Sequence, residues 1–311
     1  MLSTNSNTLH PQVLRTGDAV ALVSPAGPVD PRKIESAVEV LKSWGLRPQV
    51  YPHALGKHSF YSGTDEERLA DLNAALADPE IRAVICSRGG YGMQRIVQQV
   101  DMDAVRRDPK LVTGFSDITA LHGALWTHAR VASIHGPVAT QLERGGLFAS
   151  GMRHVLMSTE PVLLTSDAAA PTASVRTRGT AQGVLLGGNL CILSTSLGTP
   201  FMPDLTGAIL LLEEVGEAAY RVDRMLTHLG NCGILDRLAG IALGEFSPAA
   251  NTGGTISPAH VLAERLGHLG IPVLGGLPVG HGDVNQAVPL GTQAVLDADA
   301  GTLLVAPAAR D

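Results

Sequence analysis

The sequence predicts an α/β protein in two domains, on three observations. Short apolar runs alternate with amphipathic helical patterns from residue 19 onward, and one stretch near the middle of the chain loses all periodicity. At 311 residues the chain also exceeds the length at which one core usually keeps growing. Apolar residues make up 45% of it against 17% charged, so there is core material for both domains.

The first run, Ala19-Val-Ala-Leu-Val-Ser24, reads as a strand ending in the turn Pro25-Ala-Gly-Pro28. Asp30 is placed to cap a helix with Pro31 at its first position, Ile34, Ala37, Val38 and Leu41 on one face, and Gly45 at its end. A second strand spans 48–51. Thr64 and Glu67 form a capping-box pattern opening a helix through Leu69, Leu72, Ala75 and Leu76, and Ile81–Cys86 is a third strand. The order recurs through 110–115, a helix to about His128, and a strand at 131–134. Repeated strand-helix-strand units of this kind build a Rossmann-like parallel sheet with helices on its faces.

Residues 166–182, rich in Ala, Ser, Thr and Pro, read as a linker between a first domain over 1–165 and a second over 183–311. The second carries strands at 208–212, 240–244 and 271–274, helices near 221–229 and Pro258–Leu266, and a closing hairpin over 293–305 that turns at Asp299-Ala-Gly301.

Several function classes are excluded by composition. A net charge of −6, without a Lys/Arg run, argues against a nucleic-acid surface and leaves a small-molecule or peptide partner. Three cysteines, Cys86, Cys191 and Cys232, are an odd number in or beside apolar stretches and read as buried thiols rather than a disulfide framework. No ligand cluster has zinc or calcium spacing, so no metal or other cofactor is expected. The first twenty residues lack an apolar leader core, and no segment offers the roughly 18 apolar residues of a membrane span, which makes the cytoplasm the expected compartment.

Ligand sites of open parallel sheets lie beyond the carboxyl ends of the strands. Four such places are unusual here. Ser24-Pro-Ala-Gly27 and Ser87-Arg-Gly-Gly-Tyr-Gly92 are turns at which glycine lets a backbone approach a ligand, or simply fits the turn. In Gly114-Phe-Ser-Asp-Ile-Thr119, Ser116 sits between strand and helix, where it acts either as a nucleophile, with the Asp117 amide facing an oxyanion, or as an ordinary N-cap. Ile118 stands where the Gly-x-Ser-x-Gly elbow has its last glycine. Leu210-Leu-Leu-Glu-Glu-Val-Gly-Glu217 puts carboxylates after an apolar strand, Glu213 first, with Glu214 open as the alternative and Glu217 suited to an ion pair with Arg221 or Arg224. Finally, His281 lies between two glycines in Gly280-His-Gly-Asp-Val-Asn285. His135, at a strand end, is the best substitute base, and His122 and His128 fall on a helix.

Together these segments, with Gly187-Gly-Asn189 and Tyr220-Arg-Val-Asp-Arg224, resemble the LD-carboxypeptidase family of serine peptidases, which includes muramoyl-tetrapeptide carboxypeptidases and microcin-immunity peptidases. The resemblance spans nearly the whole chain. It implies a Ser-Glu-His triad of Ser116, Glu213 and His281, although Leu-Glu-Glu replaces the family's usual Leu-Glu-Asp and keeps Glu214 open. It further implies an oxyanion hole of the Asp117 and Gly90 amides, a smaller mixed β-rich α/β second domain that delivers Glu and His, and a homodimer. The implied substrate is a murein tetrapeptide losing its terminal D-Ala, or, in the microcin-immunity branch, a peptidyl or aminoacyl nucleotide. Arg88, Tyr91 and Arg221 are the candidate substrate contacts, with Arg95 and Arg224 also near the motifs.

A nucleotide-binding module is the rival from another class, since Gly89-Gly-Tyr-Gly92 follows a strand. It lacks Gly-x-Gly-x-x-Gly and any Gly-Lys-Ser/Thr, and Asp108 precedes a strand rather than ending one. A catalytically inactive binding protein is the third reading.

Overall fold

The computed structural model describes residues 8–248 and 256–311. Its first half forms β1 (Ala19–Val23), α1 (Pro31–Ser43), β2 (Arg47–Val50), α2 (Asp65–Ala77), β3 (Ile81–Cys86), α3 (Met93–Ile96), α4 (Met102–Arg107), β4 (Leu111–Gly114), α5 (Thr119–Ala124), β5 (Ser133–His135) and α6 (Gly146–Met157). The remainder forms β6 (Val162–Thr165), β7 (Thr180–Asn189), α7 (Leu190–Ser196), β8 (Ile209–Glu217), α8 (Ala219–Asn231), β9 (Gly240–Pro248), α9 (Pro258–Leu266), β10 (Val273–Leu274), β11 (Val288–Leu290), β12 (Gln293–Asp297) and β13 (Thr302–Val305).

Local signals act where the sequence places them. The Asp30 side chain accepts from Arg32 N at the start of α1, and the Thr64/Glu67 box closes reciprocally at the start of α2. The segment after β4 departs from the expected single helix. A 3₁₀ turn over Ser116–Ile118 precedes α5, and a wider π turn over Leu125–Ala129 follows it.

Two sheets result. The first runs β11-β5-β4-β3-β1-β2, parallel except for β11, which pairs antiparallel with β5. Its inner strands β1, β3 and β4 are apolar almost throughout, because α1 and α2 lie against the sheet and cover it. The second runs β10-β9-β8-β7-β12-β13-β6, parallel through its first four strands and antiparallel thereafter. The expected hairpin is β12–β13.

The division of the chain is less simple than one linker. Val162–Thr165, expected in the first domain, is the edge strand of the second sheet beside β13. Conversely, β11 comes from the second half and extends the first sheet, and β7 already begins at Thr180, inside the expected linker. Each sheet thus takes a strand from the other half. The physical reason is pairing: β6 and β11 each fill an otherwise open edge, a non-local gain invisible to local composition.

Candidate active site

Chain direction decides which carboxylate faces the histidine. Along β8, Ile209 and Leu211 pack into one core and Leu210 and Leu212 into another, so consecutive residues point to opposite faces. Glu213 continues the first face and Glu214 the second. Glu213, fully buried, accepts a hydrogen bond from His281 Nδ1 at 2.6 Å. Glu214 instead accepts from Asn189 Nδ2 at 3.0 Å, Cys191 N at 2.7 Å and Val215 N at 2.9 Å, which fixes the start of α7. Of the two carboxylates that Leu-Glu-Glu offers, Glu213 is the one hydrogen-bonded to the imidazole.

Close approach of the His281 loop to β8 requires glycine. Gly280 has φ 109°, and a Cβ there would lie 2.7 Å from Glu213 Oε2 and 2.8 Å from its Cβ. Burial pushes the His281 imidazole down, but the hydrogen bond and charge of Glu213, with the charge of Glu214 behind them, outweigh burial and hold it above its ordinary value.

Ser116 belongs to the other domain. It has φ 63°, a left-handed conformation that costs a non-glycine residue energy and that recurs at functional turns. Its side chain caps neither the 3₁₀ turn nor α5, so the N-cap role is not realised. The preceding ring, Phe115, packs on His281 with centroids 4.6 Å apart. Among the described residues no hydrogen bond joins Ser116 Oγ to the imidazole; the packing contact with His281 is made by Phe115, the residue before the serine.

The glycine turns converge on the same place. A Cβ on Gly89 would lie 2.8 Å from Ser116 Cβ and 3.1 Å from its Oγ, so the Gly89-Gly90 backbone rests on the serine. Gly27 N donates to Gly89 O at 3.0 Å, tying in the first motif. The buried Asp117 carboxylate accepts from Met93 N at 2.7 Å, which joins the Ser116 turn to the end of the Gly90-Tyr-Gly92 turn. Burial raises that carboxyl to about 6, against the opposing Met93 amide and the charge of Arg68.

Arg68 is a neighbour of these turns that sequence reasoning missed. Buried inside α2, it donates to Pro25 O and to Gly92 O, the latter at 3.0 Å, and pairs with Asp65. One guanidinium therefore pins two motif turns. The Asp65-x-x-Arg68 spacing was the only signal for it, and that spacing is common on helices.

The substrate-contact candidates separate. Arg88 Nη1 donates to Pro28 O at 2.9 Å and has no carboxylate partner among the described residues, whereas Arg221 is paired with Glu217 at 2.6 Å. Arg95 is paired with Asp65, and Arg224 lies over the Tyr220 ring. Tyr91 is exposed and packs on Tyr61, with centroids 5.7 Å apart. His135 is wholly buried with both ring nitrogens unpartnered, so nothing orients it as a base, and burial holds it well below the usual histidine range. His122 is bound between Ser133 Oγ and Gly114 O, a structural role. His281 also forms part of the wall of an open cavity of about 450 Å³ bordered by Asp167, Glu245 and Asp283. Asp108, the rival ribose contact, is committed to Arg82 and Lys110.

Residues 20–136 match the LD-carboxypeptidase N-terminal domain, and residues 182–296 match the LD-carboxypeptidase C-terminal domain. The chain belongs to the LD-carboxypeptidase family. Membership identifies a hydrolase. A Streptomyces coelicolor protein assigned as a carboxypeptidase is 41% identical, with 95% of each chain covered. The murein tetrapeptide carboxypeptidase of Pseudomonas aeruginosa is 33% identical, covering 89% of this chain and 92% of that one. MccF, solved in complex with glutamyl sulfamoyl guanosine, shares the fold with a TM-score of 0.86 at 22% identity, covering 96% of this chain and 98% of that one. Among the described residues no helix is long and apolar enough to cross a membrane, and no group of three or more His, Cys, Asp or Glu is arranged to hold a metal ion.

Proposed function

We propose that this LD-carboxypeptidase is a serine enzyme that removes the terminal D-Ala from murein tetrapeptide, with Ser116 as nucleophile, His281 as base and Glu213 as the acid that orients it. The observation that carries this reading is the Glu213–His281 hydrogen bond of 2.6 Å, stacked against the residue that precedes Ser116.

Glu213 holds Nδ1–H, which leaves Nε2 as the acceptor for the Ser116 proton. Ser116 Oγ attacks the carbonyl of the L-centred diamino acid, and the oxyanion is stabilised by the Asp117 and Gly90 amides. His281 then gives its proton to the departing D-Ala nitrogen as the C–N bond breaks. Water attacks the acyl-enzyme as its proton passes to His281, the ester C–O bond breaks, and His281 returns the proton to Ser116 Oγ to restore the hydroxyl. Arg88, which has no carboxylate partner among the described residues, receives the terminal carboxylate in preference to Arg221, which is paired with Glu217, and Tyr91 borders the same turn. On this reading the protein works in the cytoplasm, as a homodimer, in cell-wall recycling.

D-Ala release from an L,D-tetrapeptide tests the reading. Ser116→Ala, verified as folded, should lose at least about 10³-fold in kcat. Near-normal turnover in that variant would overturn the nucleophile. Turnover of an aminoacyl-sulfamoyl adenylate in preference to the tetrapeptide would move the substrate to the microcin-immunity class.

A further inference from the structure

The Glu213 carboxylate has a second oxygen, and the triad reading gives it no task. Oε1 is buried without a hydrogen-bond partner. A buried ionisable acceptor is seldom left in that state, because nothing replaces the water it has lost. A complementary orphan lies close by. Asn285 is also fully buried, and its Nδ2 has no partner, while its Oδ1 accepts from Gly280 N at 2.9 Å.

Both orphans adjoin one residue. Gly280 is the hydrogen-bond donor to Asn285, and it is also the residue whose Cβ would fall 2.7 Å from Glu213 Oε2. Asn285 and Glu213 therefore flank the same backbone unit, the one that carries His281. Asn285 Nδ2 has two N–H donors to offer and Glu213 Oε1 has lone pairs to receive one, and both atoms lack a partner. The other unpartnered buried donors among the described residues include Arg68 Nε, which sits at the glycine turns, and Trp126 Nε1. Neither residue is bonded to Gly280, as Asn285 is.

We propose that Asn285 is a positioning residue for the Glu213–His281 pair: its Nδ2 donates to Glu213 Oε1 through one bridging water, while its Oδ1 holds the His281 loop through Gly280. The carboxylate is then fixed at both oxygens, so the imidazole is presented in one orientation. This assignment rests on the catalytic reading of Glu213 and His281 given above.

Asn285→Asp separates the two roles, since it keeps an oxygen for Gly280 N and replaces the donor with a second acceptor. Activity on the L,D-tetrapeptide is expected to fall at least tenfold in kcat with KM within twofold. Its kcat–pH profile should turn down on the alkaline side, because the introduced carboxyl still donates to Glu213 while protonated and no longer does once ionised. A residue that only held the loop would leave kcat within twofold of wild type and the profile a plateau, and that result overturns the proposal. A second measurement needs no turnover: hydrogen exchange of the Asn285 side-chain amide by NMR in the resting protein, with one proton expected to be protected and at least tenfold faster exchange in Glu213→Ala. Unchanged exchange would also refute the pairing. If Ser116→Ala proved active, the catalytic reading would fall while this exchange measurement still judged the Asn285–Glu213 contact.

Discussion

Glu213 and Glu214 are neighbours in sequence and do unrelated work: one accepts the hydrogen bond of His281 Nδ1 at 2.6 Å, the other accepts two donors at the head of α7 and the Val215 amide of its own strand. The strand between them turns their side chains to opposite faces. Glu213→Ala should leave the fold largely intact and lower kcat by about 10³ to 10⁴, since an imidazole without its orienting acid loses both tautomer and position. Glu214→Ala should do the reverse. It strands Asn189 Nδ2 and two backbone amides, costs about 2 to 4 kcal/mol of stability, and spares kcat to within about tenfold. Thermal melts and tetrapeptide kinetics on both variants check the split, and a Glu214→Ala enzyme that was stable but inactive would reverse the assignment.

The pH dependence follows from the same pair. A protonated imidazole cannot accept the Ser116 proton, so kcat/KM rises with pH as His281 deprotonates. Because Glu213 holds that imidazole above its ordinary value, the acid limb should lie above about pH 6.5. In Glu213→Gln the charge is gone and burial acts unopposed by it, so the limb of the residual activity should move to lower pH. A limb that stayed in place would detach Glu213 from the base.

Gly89 offers a test of geometry without touching a reacting group. A methyl there would meet Ser116 Cβ at 2.8 Å and Phe115 O at 3.2 Å, so either the glycine turn or the serine must shift. Displacements of about 1 Å in catalytic groups cost roughly 10²-fold. Gly89→Ala should therefore lose about that factor in kcat while still binding the peptide, as read from equilibrium binding alongside turnover. Full activity would mean that the turn and the serine are not coupled.

What could be read in the sequence was what local chemistry decides. Thr64 with Glu67, Asp30 with Pro31, and the apolar run Ile81–Cys86 fix their elements from within a few residues, and all three stand in the structure. Ser116, Glu213 and His281 were picked out by ordered motif blocks rather than by their local surroundings, which for Ser116 alone also fit a helix cap. Illegible were the features that depend on distant partners. The β6 and β11 strands cross to the opposite sheet because an edge there is open, and Arg68 matters because two turns remote in sequence fold over it. Which of Glu213 and Glu214 meets His281 depends on the face of β8 on which the loop from Gly280 lands, and no local pattern carries that information.

His122 gives a prediction about stability rather than rate. Its imidazole is fully enclosed, bonded to Ser133 Oγ and Gly114 O at 2.9 Å each, and burial lowers it to about 4 despite the Gly114 carbonyl. The folded value lies below the unfolded one, so the unfolded chain takes up the proton first. Stability that this residue contributes is therefore complete above about pH 6.5 and is lost as pH falls toward 4, by on the order of 3 kcal/mol across that window. The buried Asp117 carboxyl titrates with the opposite sign, so a wild-type curve alone mixes the two effects. The comparison with His122→Asn isolates the histidine, since Asp117 and His135 are common to both proteins. Urea unfolding at pH 7.5 and pH 5 should find the wild-type advantage over that variant smaller at the lower pH by roughly 2 kcal/mol. An advantage that did not change with pH would mean that His122 is not held neutral in the folded protein.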